Sequence, residues 1–189
     1  MNPYKLIPYD DASPGVKAIY DEAMALMGID FVPNWIQCMG SNENLLRANW
    51  EKVKGTLLIG DVPILLKELI IFSISIRRGS SYCTAAHAHS ALQLDKTLKY
   101  EDLLEIVEGN QHSDLPVSFQ SAVKVALKAA LEPNAVGESD LAELVDDGFS
   151  DREIMEILAQ ADLAVMFNTI TATANLAIDD QYHRNKPTC

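Results

Sequence analysis

Cysteine is scarce in this chain of 189 residues, and features typical of secreted and membrane proteins are lacking. The three cysteines, Cys38, Cys83 and Cys189, are odd in number and widely spaced, which argues against a disulfide framework. The N-terminus lacks the apolar core of a signal peptide. The longest apolar run, residues 62–76, contains two charges and is shorter than the roughly 20 residues of a membrane span. These absences predict a cytoplasmic protein without a membrane partner.

Positive charge is also in short supply. The chain has 15 lysine and arginine residues against 27 aspartate and glutamate residues, a formal net charge of -12. Such a charge repels phosphate backbones, so nucleic acid is excluded as an expected partner. The sequence has no glycine-rich phosphate loop, nucleophile elbow or basic–aromatic patch, and no cofactor is predicted.

The third absence is of alternating apolar and polar segments between hairpin turns, so strands are not predicted. Helix signals occur throughout instead, such as Ser13 before Pro14 and the capping-box spacing of Ser150 and Glu153. We expect helices over residues 14–28, 41–57 with Ser41 as the cap, 63–78, 81–94, 100–107, 116–131, 139–148 and 151–176. The sequence predicts one all-α domain over residues 1–189, with a flexible tail at 181–189.

Cys83 and His87 form the most informative local pattern. If Gly79 ends one helix and Ser80 caps the next, Cys83 is its third residue, where free N–H groups and the helix dipole favour a thiolate. His87 follows four residues later on the same face, so its imidazole is expected to meet the sulfur and activate it. Glu68, on the preceding helix, is predicted to face this pair and orient the histidine.

Each of these residues also has an ordinary structural explanation. A cysteine in an alanine-rich stretch is often a small core residue, and His87 alone is most simply a hydrogen-bonded core histidine. Lys67 and Glu68 fit the solvent face of their helix equally well. The cap, the dipole and the spacing agree only for Cys83 and His87 together, which favours a functional role for the pair.

Metal binding is not predicted. His87 and His89 are two residues apart and so point to different faces of a helix. No other cluster of histidine and cysteine accompanies them, while His112 and His183 fit solvent-exposed positions in a loop and in the tail.

The segment that begins at Glu68 and ends at His87 resembles the signature of the alkylhydroperoxidase D-like and carboxymuconolactone decarboxylase superfamily. That signature has a glutamate, a cysteine twelve residues later, a second cysteine three further on and a histidine four after that. Glu68, Cys83 and His87 match it, and Tyr82 stands where histidine or tyrosine is common. Ser80 replaces the first cysteine. Segments 32–34 and 41–43 and the final helix are similar to the family as well, so the likeness covers most of the chain.

The resemblance implies a helical bundle of the alkylhydroperoxidase D-like type that assembles into a dimer, trimer or hexamer. It implies that Glu68 and His87 relay protons to Cys83, with Tyr82 and Ser80 as hydrogen-bonding support. The expected function is that of an antioxidant enzyme, a thiol-dependent hydroperoxide reductase of a one-cysteine, peroxiredoxin-like type.

The serine at position 80 changes what the resemblance implies for the second half of that reaction. Because Ser80 forms no disulfide, oxidised Cys83 would become a sulfenic acid. Recovery of the Cys83 thiol would require either an external thiol or one of the other two cysteines, Cys38 or Cys189.

Two alternatives remain open at the level of sequence. One is a lyase resembling carboxymuconolactone decarboxylase, which would act on a lactone or β-keto acid by acid–base chemistry at His87 and Glu68. The other is an oligomeric scaffold that retains a vestigial site and has no enzymatic activity.

Overall fold

Nine α-helices and no strand are found among residues 4–110, 112 and 114–185, which the computed structural model describes. The predicted all-α fold class is therefore confirmed. The helices are α1 (Pro14–Met27), α2 (Asn34–Gln37), α3 (Glu43–Val53), α4 (Ile64–Arg78), α5 (Ser81–Leu94), α6 (Tyr100–Val107), α7 (Ser118–Leu131), α8 (Glu138–Asp146) and α9 (Asp151–Thr173). Shorter 3-10 turns lie at Tyr9–Asp11, Pro133–Ala135 and Asp180–Asn185, and a π-helical turn at Lys54–Leu58 extends α3.

Several helix ends follow the predicted signals. The Ser13 side chain accepts a hydrogen bond from the Val16 amide, and Ser150 forms the capping box at the start of α9. Gly28 and Gly79 end α1 and α4 with φ angles of 65° and 69°, a left-handed conformation that glycine adopts without strain. At Gly79 this turn reverses the chain, so α4 and α5 form a hairpin.

Other predicted boundaries were wrong. Asn42 and not Ser41 caps α3, since its side chain accepts a hydrogen bond from the Leu45 amide. Helices α7 and α8 begin within two residues of the predicted positions. Helix α9 ends at Thr173, so Leu176 lies beyond it.

The described part of the predicted tail forms a short turn and buries an aromatic ring. Residues 180–185 form a 3-10 turn, and the Tyr182 ring packs against Phe31 and Tyr82 with centroid distances of 5.7 and 6.2 Å. The burial of this aromatic ring supplies the packing that the polar sequence of the tail does not indicate. Residues 186–189, and with them Cys189, lie outside the described residues.

Helix α4 lies at the centre of the bundle, packed against α5, α7 and α9. All residues from Leu66 to Ser75 are buried, which fits a helix that is apolar on nearly every side. Helix α9 is long and apolar enough to cross a membrane by length and composition alone, a test that core helices of soluble proteins also pass, and half of its apolar window is buried.

Lys67 and Glu68 are both buried, which contradicts their alternative interpretation as a solvent face. Lys67 Nζ lies 3.2 Å from a Glu156 carboxylate oxygen on α9 and donates to the Ile59 carbonyl at 2.9 Å. A charge inside a bundle needs such partners because burial removes its hydration. Glu68 pairs with His87 on α5.

Candidate active site

The α4–α5 hairpin places Cys83 at the third position of α5, as predicted, and buries it against α9. The side chain is 2% exposed. Its sulfur lies 3.4 Å from the Thr171 hydroxyl, which is also 3.3 Å from the Ser80 hydroxyl. Ser80 occupies the N-cap position of α5 but makes no capping hydrogen bond with its side chain, contrary to the predicted cap.

The predicted lowering of the Cys83 pKa was wrong. Burial raises the pKa of this thiol above its ordinary value, while hydrogen bonds from Ser80, Thr171, Asn168 and Ser75 act in the opposite direction and offset only part of the rise. The sequence shows the position of Cys83 on its helix but not how completely α9 covers it. At neutral pH the group is therefore a neutral thiol, and hydroxyl and amide groups surround its sulfur.

Glu68 and His87 meet across the helix hairpin, as the sequence predicted. Their carboxylate Oε2 and imidazole Nδ1 are 2.6 Å apart, and the side chains are almost fully buried. The carboxylate holds the ring in one orientation through Nδ1, and Nε2 makes no hydrogen bond within the described part of the chain. The imidazole packs against Phe167 with a ring-centroid distance of 5.6 Å.

Cys83 and His87 are not hydrogen-bonded to each other in the described structure, although the spacing predicted direct contact. Both line one cavity of about 40 Å³, which also has Glu68 in its wall. Its other walls are mainly apolar and aromatic, formed by Met27, Trp35, Val53, Leu57, Leu58, Ala86, Phe167 and Tyr182, with Tyr82, Ser90 and Thr171 adding hydroxyl groups. A thiol and an oriented imidazole thus share a small, largely apolar space.

Tyr82 makes its polar contacts away from the sulfur. Its hydroxyl donates to Asp179 at 2.5 Å and accepts from the Trp35 amide at 3.3 Å. Asp179 also accepts from the Asn34 amide at 3.1 Å, so this carboxylate joins α5 to the start of α2. Tyr82 therefore supports the cavity wall and does not contact Cys83 through its hydroxyl.

Sequence reasoning missed several residues of this site. Segments far from α5 along the chain contribute these residues, which are Trp35, Phe167, Thr171 and Asp179. No local pattern marks them, because helical spacing predicts which face is buried but not which distant helix covers it.

The other cysteine that the structure describes is separate from the cavity. Cys38 is buried, donates to the Trp35 carbonyl at 3.1 Å and does not line the space that Cys83 faces. Burial raises its pKa to about 12. Within the described residues no three histidine, cysteine, aspartate or glutamate side chains come together in a way that would hold a metal ion.

Two solved structures of peroxidase-related proteins are similar to this one along nearly the whole chain. One, described as an alkylhydroperoxidase AhpD core, is from Ralstonia eutropha JMP134; it is 20% identical with a TM-score of 0.82, and the match covers 95% of this chain and 93% of that chain. The other, from Silicibacter sp. TM1040, is 21% identical with a TM-score of 0.79, covering 98% and 96%.

A third similar structure is the debrominase Bmp8, as a cysteine-to-alanine variant in complex with 2,3,4-tribromopyrrole. It is 20% identical with a TM-score of 0.76, and the match covers 91% of this chain and 89% of that one. No family model matches the sequence, and no curated protein is similar to it. At this level of identity the likeness establishes architecture and not activity: the chain has the alkylhydroperoxidase D-like fold.

Proposed function

We propose that the protein is a thiol-dependent hydroperoxide reductase of the one-cysteine type, with an antioxidant role. The observation that carries the proposal is that a buried thiol, Cys83, and an oriented imidazole, His87, line the same small cavity. A nucleophile and a base that face one space are what thiol-based reduction of a small molecule requires.

The size of the cavity supports a small substrate. A space of about 40 Å³ holds about three water-sized molecules, since one such molecule needs on the order of 10–15 Å³ of this kind of volume. Hydrogen peroxide fits within it. The apolar walls from Trp35 and Phe167 exclude bulk water, which strengthens the electrostatic interactions of a reacting thiolate.

In the first half-reaction the Cys83 proton passes to Nε2 of His87, and the resulting imidazolium is balanced by Glu68. The thiolate sulfur attacks one peroxide oxygen, an S–O bond forms and the O–O bond breaks. The leaving oxygen takes the proton from His87, so that Cys83–SH and ROOH become Cys83–SOH and ROH. Ser80 and Thr171 lie beside the sulfur, where their hydroxyls stabilise its charged form.

We infer that external thiols carry out the second half-reaction, because Ser80 has no sulfur and Cys38 does not line the cavity. One external thiol condenses with the sulfenic acid, releasing water and leaving a mixed disulfide at Cys83. A second external thiol attacks this disulfide, regenerates Cys83 and leaves as the oxidised thiol dimer.

The decisive experiment compares Cys83→Ser with Cys38→Ser. We expect Cys83→Ser to abolish consumption of hydrogen peroxide in the presence of dithiothreitol, whereas Cys38→Ser, a buried cysteine outside the cavity, retains it. A dimedone adduct on the Cys83 peptide in mass spectrometry would identify the sulfenic acid. Peroxide consumption that is equal in Cys83→Ser and wild type contradicts the proposal.

The same variants separate the alternative functions. A lyase resembling carboxymuconolactone decarboxylase would lose turnover of a lactone in His87→Ala but not in Cys83→Ala. A scaffold without activity would consume no peroxide in wild type, and its Cys83 would form no dimedone adduct after peroxide treatment.

A further inference from the structure

Tyr182 borders two cavities at once. It lines the space of about 40 Å³ that holds Cys83 and His87. It also lines a larger outer cavity of about 270 Å³, whose other walls include Ile76, Ala88 and Tyr100. The two cavities lie against different faces of α5, and the Tyr182 ring stands between them along the side of that helix that carries Tyr82 and His89.

The Tyr182 ring is held firmly in place. It is 7% exposed and packs against Phe31, Tyr82 and His89 at centroid distances between 5.6 and 6.2 Å. Its amide donates to the Asp179 carbonyl at 2.9 Å, and the Asp179 carboxylate is in turn bonded to Tyr82. The ring is therefore a fixed wall and not a surface side chain.

The carboxylates near the reactive cavity act on the Tyr182 phenol. Burial raises the pKa of this phenol, and the nearby carboxylates of Asp179 and Glu68 raise it further. Glu68, the carboxylate that orients His87, lines the same cavity as Tyr182.

The outer cavity has the character of a site for an apolar group. Its walls combine the side chains of Ile76, Ala85, Ala88 and Tyr100 with the hydroxyls of Ser81 and Thr84. Its volume exceeds that of the inner cavity several-fold. An organic substituent would fit there, and the Tyr182 ring borders both this space and the inner cavity.

We propose that Tyr182 is the specificity-determining residue of the site, and that its ring restricts the enzyme to hydrogen peroxide and excludes hydroperoxides with a bulky apolar substituent. This inference rests on the proposed hydroperoxide reductase function. It predicts that removal of the ring connects the inner cavity to the outer one, so that the substituent lies against Ala85 and Ala88 while the peroxide group reaches Cys83.

The test compares hydrogen peroxide with cumene hydroperoxide in wild type, Tyr182→Phe, Tyr182→Leu and Tyr182→Ala. We expect the ratio of kcat/KM for cumene hydroperoxide to that for hydrogen peroxide to rise about tenfold or more in Tyr182→Ala. Tyr182→Leu should show a smaller rise in this ratio, and Tyr182→Phe, which keeps the ring and loses only the hydroxyl, should leave the ratio unchanged. Hydrogen peroxide reduction by each variant reports whether its Cys83 site is still formed.

A double variant tests whether the substituent of the larger peroxide occupies the outer cavity. In the Tyr182→Ala background, Ala85→Phe fills the outer cavity and should return the ratio to the wild-type value. Equal ratios in wild type, Tyr182→Leu and Tyr182→Ala overturn the inference, as does a wild type that already reduces both peroxides equally well. A wild type that reduces neither peroxide overturns the proposed function itself, which is a distinguishable result.

Discussion

At the scale of single residues, two opposing effects act on the Cys83 thiol. The start of α5 and the hydroxyls of Ser80 and Thr171 favour the thiolate. A helix terminus contributes about 0.3–1 kcal/mol at exposed sites and up to about 2 kcal/mol in partly buried ones. Burial of a charge costs several kcal/mol, so desolvation wins and the pKa of Cys83 is raised. The thiolate is formed only when a base such as His87 accepts the proton.

The reactivity of Cys83 should therefore increase over an alkaline range. We expect the rate of iodoacetamide alkylation at Cys83 to keep rising above pH 9, because its pKa lies above the ordinary value of 9.0. Ser80→Ala should move the profile to still higher pH, since the Ser80 hydroxyl lowers the pKa of this thiol. Ser81→Ala, an exposed neighbour, is the matched control and should leave it unchanged. Alkylation that reaches a plateau below pH 8 contradicts the raised pKa.

Glu68 and His87 should act as one unit. Glu68→Gln keeps the size of the side chain but removes the charge that orients and balances the imidazole. We expect kcat/KM for hydrogen peroxide to fall by about 10- to 100-fold in Glu68→Gln, and further in His87→Ala. The double variant should be no slower than His87→Ala, because residues that act together lose their effect together. Losses that multiply in the double variant would mean that the two residues act independently.

At the scale of helices, the sequence predicts starts and ends where a local signal decides them. Gly79 and the Ser150 capping box are correct because each acts within one turn of backbone. Ser41 fails because Asn42, the next residue, is an equally good cap. The hairpin that brings Glu68 to His87 follows from the turn at Gly79, so this half of the site was predictable. Thr171 and Asp179 were not, since their contacts depend on how α9 and the C-terminal segment pack.

The ion pair between Lys67 and Glu156 joins α4 to α9 near the start of both helices. Glu156 also accepts from the amides of Asp61 and Val62, which fixes the turn before α4. We expect Lys67→Met to lower the free energy of unfolding by about 1–3 kcal/mol, because it leaves the partly buried Glu156 carboxylate without its cation. Urea denaturation followed by circular dichroism would measure the change.

A double variant separates the lost ion pair from lost packing. Lys67→Met with Glu156→Leu removes both charges, and we expect it to be more stable than Lys67→Met alone. Lys52→Met, which breaks the more exposed contact with Asp162, is a control and should cost no more than about 1 kcal/mol. If the double variant is less stable than Lys67→Met, the unpaired charge is not the cause of the destabilisation.

At the scale of the whole molecule, the bundle buries an unusual set of weak acids. Burial raises the pKa of Cys38 to about 12 and that of Tyr20 to about 12, and it also raises the pKa values of Tyr82, Cys83 and Tyr182. Each of these groups binds its proton more tightly in the folded protein than in the unfolded chain. Their contribution to stability is therefore complete below their ordinary pKa values and is lost as the pH rises through the folded ones.

Cys38 offers the clearest measurement of this effect, because it lies outside the candidate site. Its pKa is 9.0 ordinarily and about 12 in the fold, so between these values the unfolded chain ionises while the folded protein does not. We expect the wild-type free energy of unfolding to fall between pH 9 and pH 11, with Cys38 contributing about 1.4 kcal/mol per pH unit. Cys38→Ser does not titrate there and keeps a donor for the Trp35 carbonyl, so its stability should decline less steeply by that amount. Urea unfolding in reducing buffer at pH 8, 9, 10 and 11 measures both slopes, and the tyrosine contributions cancel in the comparison. Identical slopes for the two proteins would show that Cys38 titrates normally in the fold, and that burial in this bundle does not hold the proton.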